Sequence, residues 1–221
     1  MFRALQILHT FTLHATDGQI GHVRDFLFDD QDWIVRHAVV ETGSWLGGRQ
    51  VLIPREALRE LHQDKQELSV SLTRDQVQHS PDIATDRPID HQQEADLFHY
   101  YGWKPYWGTG APILPGLSGF EPGVIPPSQD RLATTGEGVN PHLRSAQEIK
   151  GYLVVAADGE LGRVLDQQID ETAWAVRHLV VDLGVAEHHR QILLVPTEIS
   201  AIDWVDQHLE TRLRRAEMPT L

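Results

Sequence analysis

The sequence contains one segment twice: residues 15–50 align with residues 156–191 without a gap. The identical positions form a signature that is listed here for the first and then the second copy: Asp17, Gly18, Gly21, Asp25, Trp33, Arg36 and His37; Asp158, Gly159, Gly162, Asp166, Trp174, Arg177 and His178. An ungapped match of this length predicts two small domains of one fold that arose by internal duplication.

The repeat divides the chain into three parts. We place repeat 1 at residues 1–81, a connector at 82–148 and repeat 2 at 149–221. Nine of the 12 prolines and eight of the 17 glycines fall from Pro81 to Pro141, which is typical of irregular structure. Near the C-terminus we align the segment from Thr211 with the segment from Thr73, so we expect the spacing between the copies to be slightly smaller there.

Each copy predicts short strands joined by tight turns. In the first copy the strand-like segments are 11–15, 20–28, 33–41, 50–53 and 67–72, and Asp17-Gly18 supplies the first turn. Pro54 opens one helical turn, and Thr73 with Gln76 forms a capping box for a short helix. So many strands in a short domain favour a mainly β fold of two small closed barrels, because closure removes exposed strand edges.

The Arg-His pair of the signature lies on the third strand. Strict alternation along this strand places the odd-numbered residues 33–39 on one face and the even-numbered residues 34–40 on the other. We interpret His37 and His178 as hydrogen-bonded structural histidines. We expect Arg36 and Arg177 to pair with the aspartate of the preceding strand, Asp25 or Asp166. Trp33 and Trp174 are expected to fill the core.

The run DGQIGHVRDFLFDDQDWIVRHAVVETGSWLGGRQVLIPREAL resembles the PRC-barrel. This family is named after the cytoplasmic domain of the photosynthetic reaction centre H subunit and includes the C-terminal domain of the ribosome-maturation factor RimM. The similarity covers about residues 1–81 and 149–219, and it implies two strongly bent antiparallel β-barrels. The second copy departs from the pattern, because Gly-Val-Ala-Glu-His-His replaces the Gly-Ser-Trp-Leu-Gly-Gly turn.

Composition restricts the environment and the partners. The formal charge of −13 disfavours direct binding to nucleic acid. The absence of cysteine excludes disulfides and thiolate chemistry, and it fits a cytoplasmic protein. No segment reaches the roughly 20 apolar residues that span a bilayer, so we expect no membrane insertion, while peripheral association stays open.

The sequence indicates a protein that is not an enzyme. It contains no nucleophile–base pair, no paired catalytic carboxylates and no Gly-x-Ser-x-Gly motif, so we assign no catalytic residue. The acidic turn at 29–32 lacks the glycine and the distal glutamate of a calcium-binding loop. We therefore predict no metal site and no cofactor.

An aromatic segment in the connector is the strongest candidate for protein interaction. Tyrosine and tryptophan are enriched in binding hot spots. The candidate residues are Tyr100, Tyr101, Trp103, Tyr106 and Trp107, together with Trp45 at a glycine-rich turn of repeat 1. The alternative is that the connector rings pack between the two barrels or between two chains of a homodimer. A helix at Glu94–Tyr101 would dock part of the segment on a barrel.

These observations favour a non-enzymatic interaction or scaffold module of the PRC-barrel type, with an unidentified protein partner. The resemblance also implies two alternatives. One is a role like that of the H subunit, in the assembly or the electron and proton transfer of a photosynthetic complex. The other is a role in ribosome maturation like that of RimM, through contact with a ribosomal protein.

Overall fold

The computed structural model describes residues 2–83, 89–108, 142–184 and 190–217. The fold is mainly β and contains two seven-stranded sheets. The strands are β1 (Phe2–Ala4), β2 (Thr12–Ala15), β3 (Gly18–Asp29), β4 (Val35–Glu41), β5 (Gln50–Pro54), β6 (Leu58–His62), β7 (Glu67–Val70), β8 (Leu143–Ser145), β9 (Leu153–Ala156), β10 (Gly159–Asp170), β11 (Ala175–Asp182), β12 (Gln191–Leu194), β13 (Ile199–Asp203) and β14 (His208–Thr211). The helices of this part are α1 (Leu5–Leu8), α2 (Arg74–Gln78) and α3 (His91–Tyr101), with short 3-10 turns between strands.

The two sheets have the same topology. Their strand orders are β5-β4-β3-β2-β7-β6 and β12-β11-β10-β9-β14-β13. Neighbouring strands are antiparallel, except that β2 runs parallel to β7 and β9 runs parallel to β14. The spacing between the copies stays constant to the last strand, because β14 matches β7 and Thr211 is the counterpart of Val70. The expected alignment of Thr211 with Thr73 is therefore wrong, since the connecting turns have equal lengths in both copies.

Each sheet curls strongly. A flat sheet of six strands would separate its first and last strands by about 24 Å. Only the 3-10 turn Arg55–Ala57 connects β5 to β6, and such a turn rises about 2 Å per residue. The short turn therefore holds one end of β5 close to β6. Among the described residues these two strands form no ladder, so the sheet is open there, and a closed barrel is not confirmed.

The two copies exchange their first strands. β1 begins the first copy but pairs with β10 of the second, placing Phe2 opposite Asp170. Its counterpart β8, at the end of the connector, leads into the second copy but pairs with β3 of the first, placing Leu143 opposite Asp29. The two pairings are equivalent under the repeat alignment, so a pseudo-twofold axis relates the halves. The exchange joins the copies into one unit with a continuous apolar core.

The junction between the copies lies at the paired tryptophans. Trp33 and Trp174 are both buried, and both have a left-handed backbone, with φ of 59° and 50°. Trp33 stacks on Phe28 at a ring-centroid distance of 5.3 Å, whereas Trp174 packs on Phe26 of the other copy at 5.8 Å. The expectation that both rings belong to the core is confirmed, and their core spans both copies.

A β-bulge in β4, the strand that carries Arg36 and His37, changes which of its residues share a face. The register between β3 and β4 shifts between the pairs Leu27–His37 and Phe28–Val35, which leaves Arg36 as the extra residue. The inserted residue changes the alternation, so Val35, Ala38 and Val40 share the main core while Val39 lies in a second cluster. The predicted grouping of Val35 with Val39 is therefore wrong, because strict alternation assumes a regular ladder. The same register shift surrounds Arg177 in β11.

The local signals in the sequence located most elements. The predicted strands are present with ends shifted by up to two residues, and the helical turn after Pro54 is confirmed. The Thr73–Gln76 capping box at α2 is confirmed with both of its hydrogen bonds. The predicted helix at Glu94–Tyr101 is confirmed as α3, which begins earlier behind a second capping box of Asp90 and Gln93. The strands β1, β6 and β8 were not predicted.

Candidate functional site

The Arg-His pair of the first copy is covered by the connector. His37 Nε2 lies 2.7 Å from Glu94 Oε1 on α3, and both side chains are fully buried. The ring of Phe98 packs on that of His37, with centroids 6.0 Å apart. This buried pair confirms His37 as a hydrogen-bonded structural histidine, and it fastens α3 to the outer face of β4.

Arg36 is enclosed by two carboxylates and an aromatic ring. Its guanidinium donates to Asp29 at 3.3 Å and also to Asp32. The Tyr106 ring lies 3.9 Å from the guanidinium carbon, and the Tyr106 hydroxyl donates to Glu94 Oε1 at 3.1 Å. Burial, with the charge of Glu94 adding to it, raises the pKa of Tyr106. The predicted pairing of Arg36 with Asp25 is wrong, because the bulge turns Arg36 toward the acidic turn.

An apolar cluster continues this contact across the outer face. On the sheet it contains Val39 and Leu52, and on the connector it contains Leu97 of α3 together with Ile83 and Ile89. Leu27, Tyr101 and Leu143 flank it. The connector thus closes one face of the first copy with an apolar patch and the buried, hydrogen-bonded pair of His37 and Glu94.

The matching face of the second copy is more open. Its arginine, Arg177, has a side chain that is 48% exposed, against 10% for Arg36, and it lies 3.5 Å from Asp170. His178 is half-buried, whereas His37 is fully buried. Phe2 stands edge-on to the His178 ring at 5.2 Å, yet Phe2 is 57% exposed. The same sequence signature is therefore enclosed in one copy and accessible in the other.

A cavity of about 780 Å³ opens beside Arg177 and His178 at the junction of the copies. This volume lies within the range of ligand sites. The apolar part of its lining includes Phe2, Trp33, Val176, Val195, Ile202 and Trp204, and the polar part includes Asp30, Asp32, Arg177, His178, Thr197 and Ser200. At the equivalent place in the first copy Arg55 reaches across to the Ala173 carbonyl at 3.5 Å. Pro196 replaces that arginine in the second copy, and a proline cannot reach across.

The acidic residues of the cavity already have cationic partners. Asp30 binds His142 at 2.9 Å and Arg144 at 3.3 Å. The Arg144 guanidinium also lies over the Trp204 ring, 4.4 Å from its centroid. Asp32 is held by Arg36. Arg177, which is 48% exposed beside this cavity, suits an anionic or aromatic ligand.

The aspartates Asp25 and Asp166 have a different role from the predicted one. Asp25 accepts the backbone N–H of Gln147 at 3.3 Å and the Ser145 hydroxyl, both from the exchanged segment of the second copy. Asp166 accepts the backbone N–H of Gln6 at 3.2 Å from the segment of the first copy. Burial raises the pKa of Asp25, and these hydrogen bonds oppose the shift. Each aspartate thus anchors the strand that arrives from the other copy.

The remaining signature residues shape the first hairpin of each copy. Asp17 and Asp158 accept the backbone N–H groups of Arg74 and Arg215 at 2.7 and 3.0 Å, which ties the turn to the end of the repeat. Gly18 and Gly159 have φ of 146° and 126°, a region that favours glycine. A Cβ at Gly21 would lie 1.9 Å from the Glu41 carbonyl oxygen, and one at Gly162 would meet the Asp182 oxygen at 2.1 Å.

The aromatic segment packs on the first copy and not between the copies. Tyr100 donates its hydroxyl to the Gln76 carbonyl at 2.9 Å. Tyr101 stacks on Trp103 at 5.1 Å, and both are partly buried against the main core. Trp107 packs edge-on to Phe98 at 5.7 Å. Their role in binding a partner stays a prediction.

Trp45 is held against its own domain. Its indole Nε1 donates to the Ile20 carbonyl, and the Arg74 guanidinium lies 4.5 Å from the centroid of its ring. The ring is partly buried against the core. These contacts give Trp45 a structural place, and a contact with a partner stays a prediction.

Sequence reasoning missed the residues that make the two copies unequal. Glu94 and Phe2 were not singled out, although an acidic residue inside an amphipathic helix was a usable signal for Glu94.

No known family profile matches this chain, and no curated protein is significantly similar to it. In the described part of the chain no helix is both long and apolar enough to cross a membrane.

Proposed function

We propose that this protein is a non-enzymatic interaction or scaffold module of the PRC-barrel type, with the accessible face of the second copy as its binding face. We name this face the Arg177 face and define it by Phe2, Arg177, His178, Leu193 and Val195. The observation that carries the proposal is the contrast between equivalent residues. Arg36 and His37 lie under the connector, whereas the side chain of Arg177 is 48% exposed and His178 is half-buried.

The PRC-barrel part of the proposal rests on sequence pattern and topology together. The pattern D-G-x-x-G-x-V-x-D, the acidic turn and the V-R-H strand occur in both copies. Each copy forms one strongly curled sheet with the same strand order. We interpret each curled sheet as a barrel of this type whose last pairing is left open at the 3-10 turn.

The scaffold part of the proposal rests on what the polar signature residues do. Asp25 and Asp166 bind backbone groups of the exchanged segments. Asp17 and Asp158 bind the ends of the repeats. Residues that hold the two halves together are expected in a rigid platform, and a platform with one covered and one accessible face suits a binding role.

Site-specific photocrosslinking in the cell that produces the protein tests this function. A photoreactive amino acid replaces Val195, which is 37% exposed on the Arg177 face, and in a control chain it replaces the exposed Asp64 of the first copy. We expect a discrete crosslinked partner from position 195 alone, and we expect Arg177→Glu to abolish it. The identity of the partner would distinguish a membrane complex, a ribosomal protein and a new assembly.

Two results would contradict the proposed function. One is a crosslink that forms equally from positions 64 and 195, which would indicate nonspecific contact. The other is no crosslink from position 195 in a protein with normal abundance and melting temperature. In that case the Arg177 face would have no partner in the cell.

A further inference from the structure

We propose that the Arg177 face binds an amphipathic helix of a partner protein, which places a carboxylate against His178 and an aromatic ring over Arg177. This inference rests on the proposed function and specifies the chemistry of the partner. The first copy shows how such a helix would bind, because α3 and the residues after it make these two contacts with the first copy. Glu94 meets His37 at 2.7 Å, and the Tyr106 ring covers Arg36 at 3.9 Å.

The apolar character of the covered face is retained in part in the second copy. Val39 and Leu52, which lie under α3, correspond to Val180, which is 7% exposed, and to Leu193, which is half-buried, whereas Leu27 corresponds to Gln168. Leu143, which flanks the same cluster, corresponds to Phe2. In the first copy this surface is covered by the connector, whereas Phe2 is 57% exposed. Val195, which is 37% exposed, lines the same cavity as Phe2, and exposed apolar residues that group together are typical of a protein-binding surface.

The charges of the face favour an acidic partner. Arg36 binds two carboxylates, those of Asp29 and Asp32. Asp170 is the counterpart of Asp29, but Ala173 replaces Asp32, so Arg177 retains one carboxylate at 3.5 Å. The nearby acids Asp30 and Asp32 are occupied by Arg144 and Arg36. The charge of Arg177 is therefore less neutralised than that of Arg36, which favours contact with an aromatic ring or an acidic group of a partner.

The spacing in α3 indicates that the partner segment is helical. Glu94, Leu97, Phe98 and Tyr101 follow the i, i+3, i+4, i+7 pattern of a helix that binds in a groove. Gly102, with φ of 71°, ends the helix, and Tyr106 follows it. The cavity of about 780 Å³ beside Arg177 has room for an aromatic side chain. We therefore expect a helix with this pattern followed by an aromatic residue.

The test uses the full chain and a labelled synthetic peptide that copies its residues 89–108. Binding is followed by fluorescence anisotropy up to about 1 mM peptide, the weak end of specific recognition. We expect saturable binding that Arg177→Glu weakens at least about tenfold, the equivalent of about 1.4 kcal/mol. Arg212→Glu is the matched control, because Arg212 is an exposed arginine of the same copy, so the charge change is the same. A peptide with Glu94→Lys should lose binding similarly.

Two other outcomes would contradict the inference, and in each case the crosslinking experiment decides the proposed function. Binding that is equal in the Arg177→Glu and Arg212→Glu proteins would place the peptide elsewhere, for example in exchange with α3 on the first copy. No binding at the highest concentration would exclude a helix of this chemistry. If the crosslink from position 195 persists in either case, the face binds a partner of another kind. If it is also absent, the proposed function fails with the inference. Equal melting temperatures of the two variants verify that both fold.

Discussion

Trp33 and Trp174 occupy the same position in the two copies, and the carbonyl of each accepts a hydrogen bond from the second residue after the other. Val35 donates its N–H to the Trp174 carbonyl, and Val176 donates to the Trp33 carbonyl, both at 2.8 Å. This reciprocal pair joins the two sheets where the pseudo-twofold axis passes. With the exchanged strands it makes the halves one cooperative unit.

Loss of either tryptophan ring is expected to destabilise the whole chain. Trp33→Ala and Trp174→Ala should each lower the free energy of unfolding by about 3–5 kcal/mol, because each deletes a buried ring from the shared core. Denaturant unfolding followed by circular dichroism measures this change. Val205→Ala, at a residue that is 90% exposed, is the control and should change stability by less than about 0.5 kcal/mol. Wild-type stability in either tryptophan variant would contradict the core assignment.

The close backbone contact at Gly21 predicts intolerance to any side chain. Gly21→Ala puts a Cβ on the Glu41 carbonyl oxygen, so the strands β3 and β4 must separate, and we expect a loss of about 4 kcal/mol or more. Gly48→Ala has open space around the new methyl group and only a left-handed backbone, with φ of 75°. Its cost should be about 1–2 kcal/mol. Equal melting temperatures of the two variants would argue against the predicted contact.

The buried pair of His37 and Glu94 predicts strong coupling between two residues distant in sequence. Glu94→Leu leaves His37 buried without its hydrogen-bond partner and should cost about 1–3 kcal/mol. The double variant His37→Leu/Glu94→Leu should cost clearly less than the sum of the single variants. A double-mutant cycle by denaturant unfolding measures the coupling. The exposed pair Arg24–Glu41 is the control and should couple by less than about 1 kcal/mol. Additive effects at His37 and Glu94 would contradict the buried hydrogen bond between them.

The tyrosines predict a loss of stability in alkali. Burial raises the pKa of Tyr101 and of Tyr152 from 10.0 to about 12, and it also raises the pKa of Tyr100 and Tyr106. The tyrosines of the unfolded chain therefore ionise at a lower pH than those of the folded chain. The stability that the buried, neutral tyrosines contribute is complete below pH 10 and is lost as the pH rises toward 12. Absorbance of tyrosinate at 295 nm should stay low in the native protein at pH 10.5 and rise upon unfolding. Free titration near pH 10 in the folded state would contradict the burial.

Local patterns explain why much of the fold was predictable. Turn residues, capping boxes and apolar alternation act within a few positions, so Asp17-Gly18, the helix begun by Thr73 and the strand ends could be read directly. The bulge at Arg36 could not be predicted from the sequence, because it depends on the register of β4 against the neighbouring strand β3. Its effect is large, since it directs Arg36 to Asp29 instead of Asp25.

Only part of the candidate site could be predicted from the sequence. The repeated Arg-His pair was recognised, but both copies look alike at Arg36–His37 and Arg177–His178. What distinguishes them is Glu94, which lies 57 residues beyond His37 and belongs to neither repeat. Pairing over that distance depends on where α3 docks, and no local pattern encodes it.

The sequence by itself determined that the chain carries two equal β domains, because the signature residues and their turns are encoded position by position in each copy. Only the tertiary structure decided that β1 and β8 cross to the opposite sheets and that the described part of the connector covers the Arg-His pair of the first copy. The physical reason is that both outcomes depend on contacts between distant segments. Two copies with the same signature and topology offer such segments two equivalent places to bind, and packing of the whole chain selects one.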